Sequence, residues 1–203
     1  MMETGDSAKR YVIDTASGVR LVLDNPRQED ILIEDVAGGL SKVCRFGAQP
    51  LEYYSVAQHA LLVRRLVVES GYPELALAAL HHDSHEAYLC DIPSPLKSKI
   101  FTATQIYDDI CRRFDRTIAE AFDLEYPEKG SEEKAIIKHA DNRALLIEAA
   151  RLLPDGGKAL RRDLELEGED FRDLPPLEDP LSPIQVQELF LRAYTGLVRR
   201  AMR

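Results

Sequence analysis

Tryptophan is absent from this chain of 203 residues, cysteine occurs three times and histidine five times. The cysteines, Cys44, Cys90 and Cys111, are odd in number, widely spaced and never arranged as CxxC. That excludes a disulfide framework and a cysteine-ligated zinc site, and it predicts reduced thiols in a cytoplasmic protein. No apolar run approaches the roughly 18 residues a membrane-spanning helix needs. The opening MMETGDSAKRY has no apolar signal core. Positive charge is scarce as well: 26 Lys and Arg stand against 35 Asp and Glu, a net charge of −9. Duplex nucleic acid and anionic membrane surfaces demand clustered Lys and Arg, so neither is an expected partner. A small anion such as a nucleotide remains admissible, because a bound cation and one or two arginines offset the repulsion locally.

What is present is an ordinary apolar content of 45%, sufficient for one domain over residues 1–203. Two short β-prone runs in YVIDTASGVRLVL, around Ser17-Gly18, predict a hairpin within an N-terminal element at 1–30. Asp35 to Val43 reads as a short helix weakened by Gly38-Gly39. Ser55 and Gln58 form a capping-box pattern opening a helix that stops at Gly71. A further helix is expected from Pro73 through Leu80 and the residues beyond it, ended by Pro93 and Pro95. Helical character continues over about 98–122 and 132–153. Residues 154–181, rich in charge, Pro and Gly, read as a partly irregular excursion. Ser182-Pro-Ile-Gln185 is a second capping box, opening a last helix over 182–203. The fold class is all-α with a small N-terminal β-hairpin. Its long apolar helices are compatible with a homodimer.

The five histidines are unevenly placed. Three of them, His81, His82 and His85, crowd into LHHDSHEAYLCDIPSP beside Asp83, Glu86 and Asp91. On a helix turning about 100° per residue, His82, Asp83 and Glu86 share one arc, with His81 and His85 to its side. A protein-bound metal wants three or four ligands. His59, in the first turn of its helix among apolar neighbours, is one candidate for completing the set. Asp141 is another, because it interrupts the apolar stripe of Ile137, Ala140, Ala144, Leu145 and Glu148, where a bare carboxylate is costly. His59, His82, Asp83 and Asp141 offer two imidazoles and two carboxylates. That donor set suits one divalent transition ion: Mn²⁺, Co²⁺, Fe²⁺, Ni²⁺ or Zn²⁺.

The order His59, His82-Asp83, Asp141 resembles the HD-domain metal-dependent phosphohydrolase superfamily. HDSHE followed by Asp91-Ile92-Pro93-Ser94-Pro95-Leu96-Lys97 is more closely similar to bacterial 5′-deoxynucleotidases and prophage-type HD hydrolases. The likeness runs from about Val36 to Leu146. It implies an HD-type helical core over 36–150 in which His59, His82, Asp83 and Asp141 hold the ion. It also implies that Glu86 does general acid–base work, with Asp83 beside it in the catalytic centre. By the same resemblance Arg45 grips phosphate, Asp91 takes a sugar hydroxyl, and Phe46 packs on sugar or base. His85 and Lys97 complete the substrate-binding candidates, and His81 is assigned a structural place. Two positions depart from the pattern: Cys90 stands where those families have Gly, and Phe46 where the deoxynucleotidases have Trp. The implied activity is hydrolysis of (deoxy)nucleoside 5′-monophosphates to nucleoside and phosphate. A deoxynucleoside triphosphate triphosphohydrolase and a non-catalytic nucleotide- or metal-binding module are the alternatives.

Overall fold

The computed structural model describes residues 11–166 and 174–202. Residues 1–10 of the N-terminal element, 167–173 of the excursion and the final Arg203 lie outside the described residues. Strands β1 (Val12–Asp14) and β2 (Arg20–Val22) pair antiparallel in the register Val12 with Val22 and Asp14 with Arg20. Gly18, at φ +86°, makes the turn between them. The hairpin is tied to the helical body by Asp35, whose carboxylate accepts from the Ser17 amide at 3.0 Å and hydroxyl at 2.5 Å. All the remaining regular structure among the described residues is helical. None of these helices is long and apolar enough to cross a membrane.

Helix α1 (Ile33–Leu40) is followed by a 3₁₀ turn at Phe46–Ala48 and then by α2 (Val56–Glu69). Ser55 caps α2 by accepting from the Gln58 amide at 3.2 Å. The Gln58 side chain does not close the box. It reaches the 179–181 backbone instead, accepting from the Leu181 amide at 3.2 Å. A 3₁₀ turn at Pro73–Leu75 leads into α3 (Ala76–Leu80). The expected continuous helix then breaks. Residues 81–85 form turns, and a single-turn α4 (Glu86–Leu89) follows. The Ser84 amide donates to the His81 carbonyl and the Glu86 amide to the Asp83 carbonyl, so the chain winds more tightly than an α-helix here.

Two more differences emerge downstream. The span 98–122 is two helices, α5 (Ser94–Ala103) and α6 (Ile106–Phe122), broken at Thr104-Gln105. Pro95 opens α5 rather than ending the previous element, since a proline in the first turn loses no helical hydrogen bond. Helix α7 (Glu132–Leu152) is capped by Ser131, which accepts from Lys134 N. The 154–181 excursion is not wholly irregular: Asp155 accepts from the Gly157 and Ala159 amides and starts α8 (Lys158–Leu166). Helix α9 (Pro183–Ala201) opens on the complete Ser182/Gln185 capping box.

Helix α2 divides the core. Val56, Ala57 and Ala60 face a cluster with Leu21, Val36, Leu40, Phe114 and Phe190. Val63, Leu66 and Val67 face a second cluster with Ala79, Ile137, Ala144 and Ile147. Each fully buried aliphatic or aromatic side chain contributes about 1.5–3 kcal/mol. The first turn of α2, the 81–86 turns and the middle of α7 meet between these clusters, and the histidines meet there too.

Candidate metal centre

His59 is wholly buried, in the first turn of α2. Its Nδ1 lies 2.7 Å from Glu148 Oε1 and its Nε2 3.1 Å from Asp141 Oδ1. Both acids come from α7. They are seven residues apart, two helical turns, and so share one face. His82 Nδ1 lies 2.8 Å from the Ala79 carbonyl. A carbonyl and a carboxylate only accept, so Nδ1 carries a proton in both rings, and each ring in its neutral form offers its Nε2 lone pair to an ion. Those two Nε2 atoms stand 3.2 Å apart. Asp83 Oδ2 is 3.2 Å from the His82 Nε2 and 3.7 Å from that of His59. Asp141 Oδ1 is 3.9 Å from His82 Nε2.

Two bare nitrogen lone pairs and two carboxylates at these separations repel one another unless a cation sits among them. Donors about 2.1 Å from one ion lie roughly 3.0–4.2 Å apart, and the separations among His59, His82 and Asp141, and from Asp83 to the two imidazoles, fall in that range. His59, His82 and Asp141 therefore fit a divalent ion by donor type and by spacing, with Asp83 beside the two imidazoles. Among the described residues, His59, His82 and Asp141 form the group whose ligand atoms all lie within 4.8 Å of one another. Without a metal a proton takes part of that place. Burial and the Arg45 charge push His59 down, but Glu148 and Asp141 outweigh them and hold it at about 9. Burial works against the ionised forms of Asp83 and Asp141, yet the neighbouring imidazoles hold both carboxyls well below the usual range.

A cavity of about 380 Å³ opens beside the cluster. Its wall includes Arg45, Phe46, Asp83, Glu86, Asp91, Lys97, Lys138 and Asp141. Glu86 is 1% exposed. Its Oε1 accepts from Lys97 Nζ at 2.9 Å, and its Oε2 has no hydrogen-bond partner. Burial and then the Asp83 charge raise its carboxyl to about 7, against the pull of Lys97. Arg45 is buried between two acids, with Nη2 3.2 Å from Glu148 Oε2 and Nη1 3.6 Å from Asp91 Oδ2. Its guanidinium carbon lies 5.5 Å from the Phe46 ring centroid. Phe46, Gly47 and Ala48 run at φ +54°, +61° and +60°, a left-handed stretch that turns the backbone towards Pro93.

Arg45, Phe46, Asp83, Glu86, Asp91, Lys97 and Asp141 line this one cavity, His59 and His82 stand at the cluster beside it, and His85 is the exception. His85 turns away: its Nδ1 lies 2.8 Å from Asp115, and it lines a neighbouring cavity of about 530 Å³ with Tyr107 and Cys111. Lys97 lines both cavities. His81, as expected, is structural. It is buried against Phe122, Phe190 and Tyr194, and burial lowers it to about 3. Glu148, which the sequence reading placed in the Asp141 stripe without a role, is the addition the structure makes. Its signal was present, a second acid two turns beyond Asp141 in the same apolar stripe.

No protein-family model matches the chain. It is 34% identical over 193 residues to the uncharacterized protein YfdR of Escherichia coli K12, covering 91% of this chain and 94% of that one. It is also 44% identical over 90 residues to the uncharacterized protein RCAP_rcc00048 of Rhodobacter capsulatus, 41% of this chain and 45% of that one. Among solved structures, it is similar to the cyanophage S-2L HD phosphohydrolase DatZ, bound to dA and one catalytic Zn²⁺ ion. That likeness has 18% identity and a TM-score of 0.49, over 81% of this chain and 95% of that one. The similarity to YfdR spans nearly the whole of both chains, and the protein belongs to the same family as YfdR.

Proposed function

We propose that the protein is a metal-dependent phosphohydrolase of the HD type that releases phosphate from (deoxy)nucleoside 5′-monophosphates. The observation that carries this reading is the cluster of His59, His82 and Asp141, with Asp83 within 3.2 and 3.7 Å of the two imidazole Nε2 atoms, beside a cavity lined by Glu86 and Arg45. His59 and His82 through Nε2, with Asp83 and Asp141, would hold the ion. A divalent ion there supplies charge neutralisation of phosphoryl oxygens and a water acidic enough to act near neutral pH.

The chain's own residues do the rest. Arg45 gives two of its five N–H donors, on Nε and Nη2, to Glu148. The remaining donors, with Nη1 also facing Asp91 at 3.6 Å, are the ones offered to phosphoryl oxygens, by a guanidinium that its acidic neighbours keep charged. Glu86, poised at about 7, accepts a proton from an attacking water and returns it to the leaving sugar oxygen. Lys97 holds Oε1 and leaves Oε2 for that transfer. Asp91 accepts from a sugar hydroxyl, and Phe46 packs on the sugar or base. The cavity wall carries three cationic side chains, Arg45, Lys97 and Lys138, against four carboxylates. A divalent ion tips that balance to slightly positive, which matches a monophosphate dianion better than the larger charge of a triphosphate.

The test is to strip the protein of metal and incubate it with ribo- and deoxynucleoside mono- and triphosphates plus Mn²⁺, Co²⁺ or Mg²⁺, separating the products by chromatography. Nucleoside and free phosphate from the monophosphates is the expected outcome. Intact triphosphate released from triphosphates would replace the reading with a triphosphohydrolase. Metal uptake without any product would leave a binding module.

A further inference from the structure

Resting on that reading, we propose that Glu148 is a positioning residue with two tasks: it fixes His59 to present Nε2 to the ion, and it anchors Arg45 in the wall of the same cavity. Glu148 is 0% exposed and lies on α7, 89 residues from His59 and 103 from Arg45. Its two oxygens are divided between them. Oε1 takes the His59 Nδ1–H at 2.7 Å, and Oε2 takes the Arg45 Nε and Nη2 donors at 3.3 and 3.2 Å. Only a carboxylate can do this, because both partners are donors and each needs an oxygen. The bond to Oε1 keeps the proton of the neutral ring on Nδ1 and so offers Nε2, 3.1 Å from Asp141 and 3.2 Å from His82 Nε2, to an ion. Imidazoles that bind metals are commonly oriented in this way by a carboxylate behind them. The second bond is the unusual part. It makes one buried carboxylate hold both an ion ligand and the arginine that meets the substrate.

Glu148→Gln separates the two tasks, since an amide has one oxygen and one NH₂ group. Arg45 is the charged donor and keeps the amide oxygen. The NH₂ group then faces His59 Nδ1 and drives the ring proton onto Nε2, where the ion would bind. Removing the competing donor with Arg45→Met lets the amide oxygen return to Nδ1–H. The experiment measures Zn²⁺ affinity of metal-stripped protein by competition with a chromophoric chelator. It also records the histidine ring ¹H–¹⁵N spectrum of the zinc-loaded wild type, with circular dichroism to confirm folding.

The expected results are a wild-type His59 that coordinates through Nε2 and retains Nδ1–H, an E148Q affinity lower by about 10–100-fold, and recovery of most of that loss in the R45M/E148Q double variant. Wild-type coordination through Nδ1, unchanged affinity in E148Q, or a double variant as weak as the single one would each overturn the proposal. Should E148Q fail to fold, the wild-type ring spectrum and the double variant still decide. No nucleotide enters these measurements. A protein that binds zinc through Nε2 yet hydrolyses no nucleotide sinks only the substrate reading, and one that takes up no zinc sinks both.

Discussion

Glu86 and the ion ligands separate by what their loss removes. Glu86 has a partner in Lys97 and an unpartnered oxygen at the cavity, and it stands outside the His59, His82 and Asp141 cluster. Glu86→Gln is therefore expected to keep stoichiometric metal and to lose about 10²–10⁴ in turnover, the range general acid–base catalysis supplies. Metal analysis beside initial rates checks this, and a variant with wild-type turnover would return Glu86 to a structural place. His82→Ala and Asp83→Ala each remove one of the four proposed ion ligands. Both are expected to purify without metal, and a full equivalent of bound metal in either would remove that residue from the ligand set. Cys90 makes a different prediction. It sits at φ +66°, ψ 159°, a region that suits glycine and strains any side chain. The backbone required there is thus the one the related pattern meets with Gly. Cys90→Gly should stabilise the protein by roughly 1 kcal/mol, the strain relieved exceeding the extra chain entropy of glycine. Chemical denaturation would show it, and a lower midpoint would mean that the turn carries no strain.

At the scale of elements, the close approach of α1 to α4 decides where Glu86 stands. A Cβ on Gly39 would lie 2.7 Å from the Ala87 carbonyl oxygen, and Ala87 follows Glu86 directly. A Cβ on the neighbouring Gly38 would meet only the mobile ends of Gln187 and Lys42, at 3.3 and 3.4 Å. The pair forms its own control. Gly39→Ala is expected to cost about 1–3 kcal/mol, as overpacking does, and to lower turnover by shifting α4. Gly38→Ala should leave stability unchanged or raise it by up to about 1 kcal/mol through helix propensity. Equal effects at the two sites, read from thermal melts and initial rates, would show that the contact does not govern α4. The sequence shows two glycines weakening a helix. Only the packing tells that one of them admits a neighbouring backbone.

At the scale of the whole molecule, an ion bound at the proposed site would tie α2, the 81–85 turns and α7 together between the two core clusters. A ligand that binds only the folded state stabilises it by about 2.7 kcal/mol at one hundred times its dissociation constant. For a chain of about 200 residues that corresponds to a rise in Tm of roughly 5–10 °C. Melting curves of chelator-treated protein, with and without excess Mn²⁺ or Zn²⁺, check this. An unchanged Tm would mean that the four donors do not form a site at all.

Much of this was legible in the residues. The serine caps at 55 and 182, the all-α class with a hairpin around Gly18, and the inward placement of His59 follow from local rules: capping chemistry, helical periodicity and turn residues. So does the crowding of His82, Asp83 and Glu86, because they are neighbours in the chain. What the sequence left open depends on contacts between distant segments. The 81–85 turns replaced the expected helix because side-chain and turn bonds there compete with the helical ladder. The position of the α8 helix within the partly irregular 154–181 stretch was not legible, and His85 turned towards Asp115 in a neighbouring cavity rather than the cavity beside the cluster. Glu148 acquired its place only when α7 laid it against His59 and Arg45, 89 and 103 residues away. Its chemistry, one carboxylate shared by two buried donors, exists only once folding has excluded water and left each donor no other acceptor.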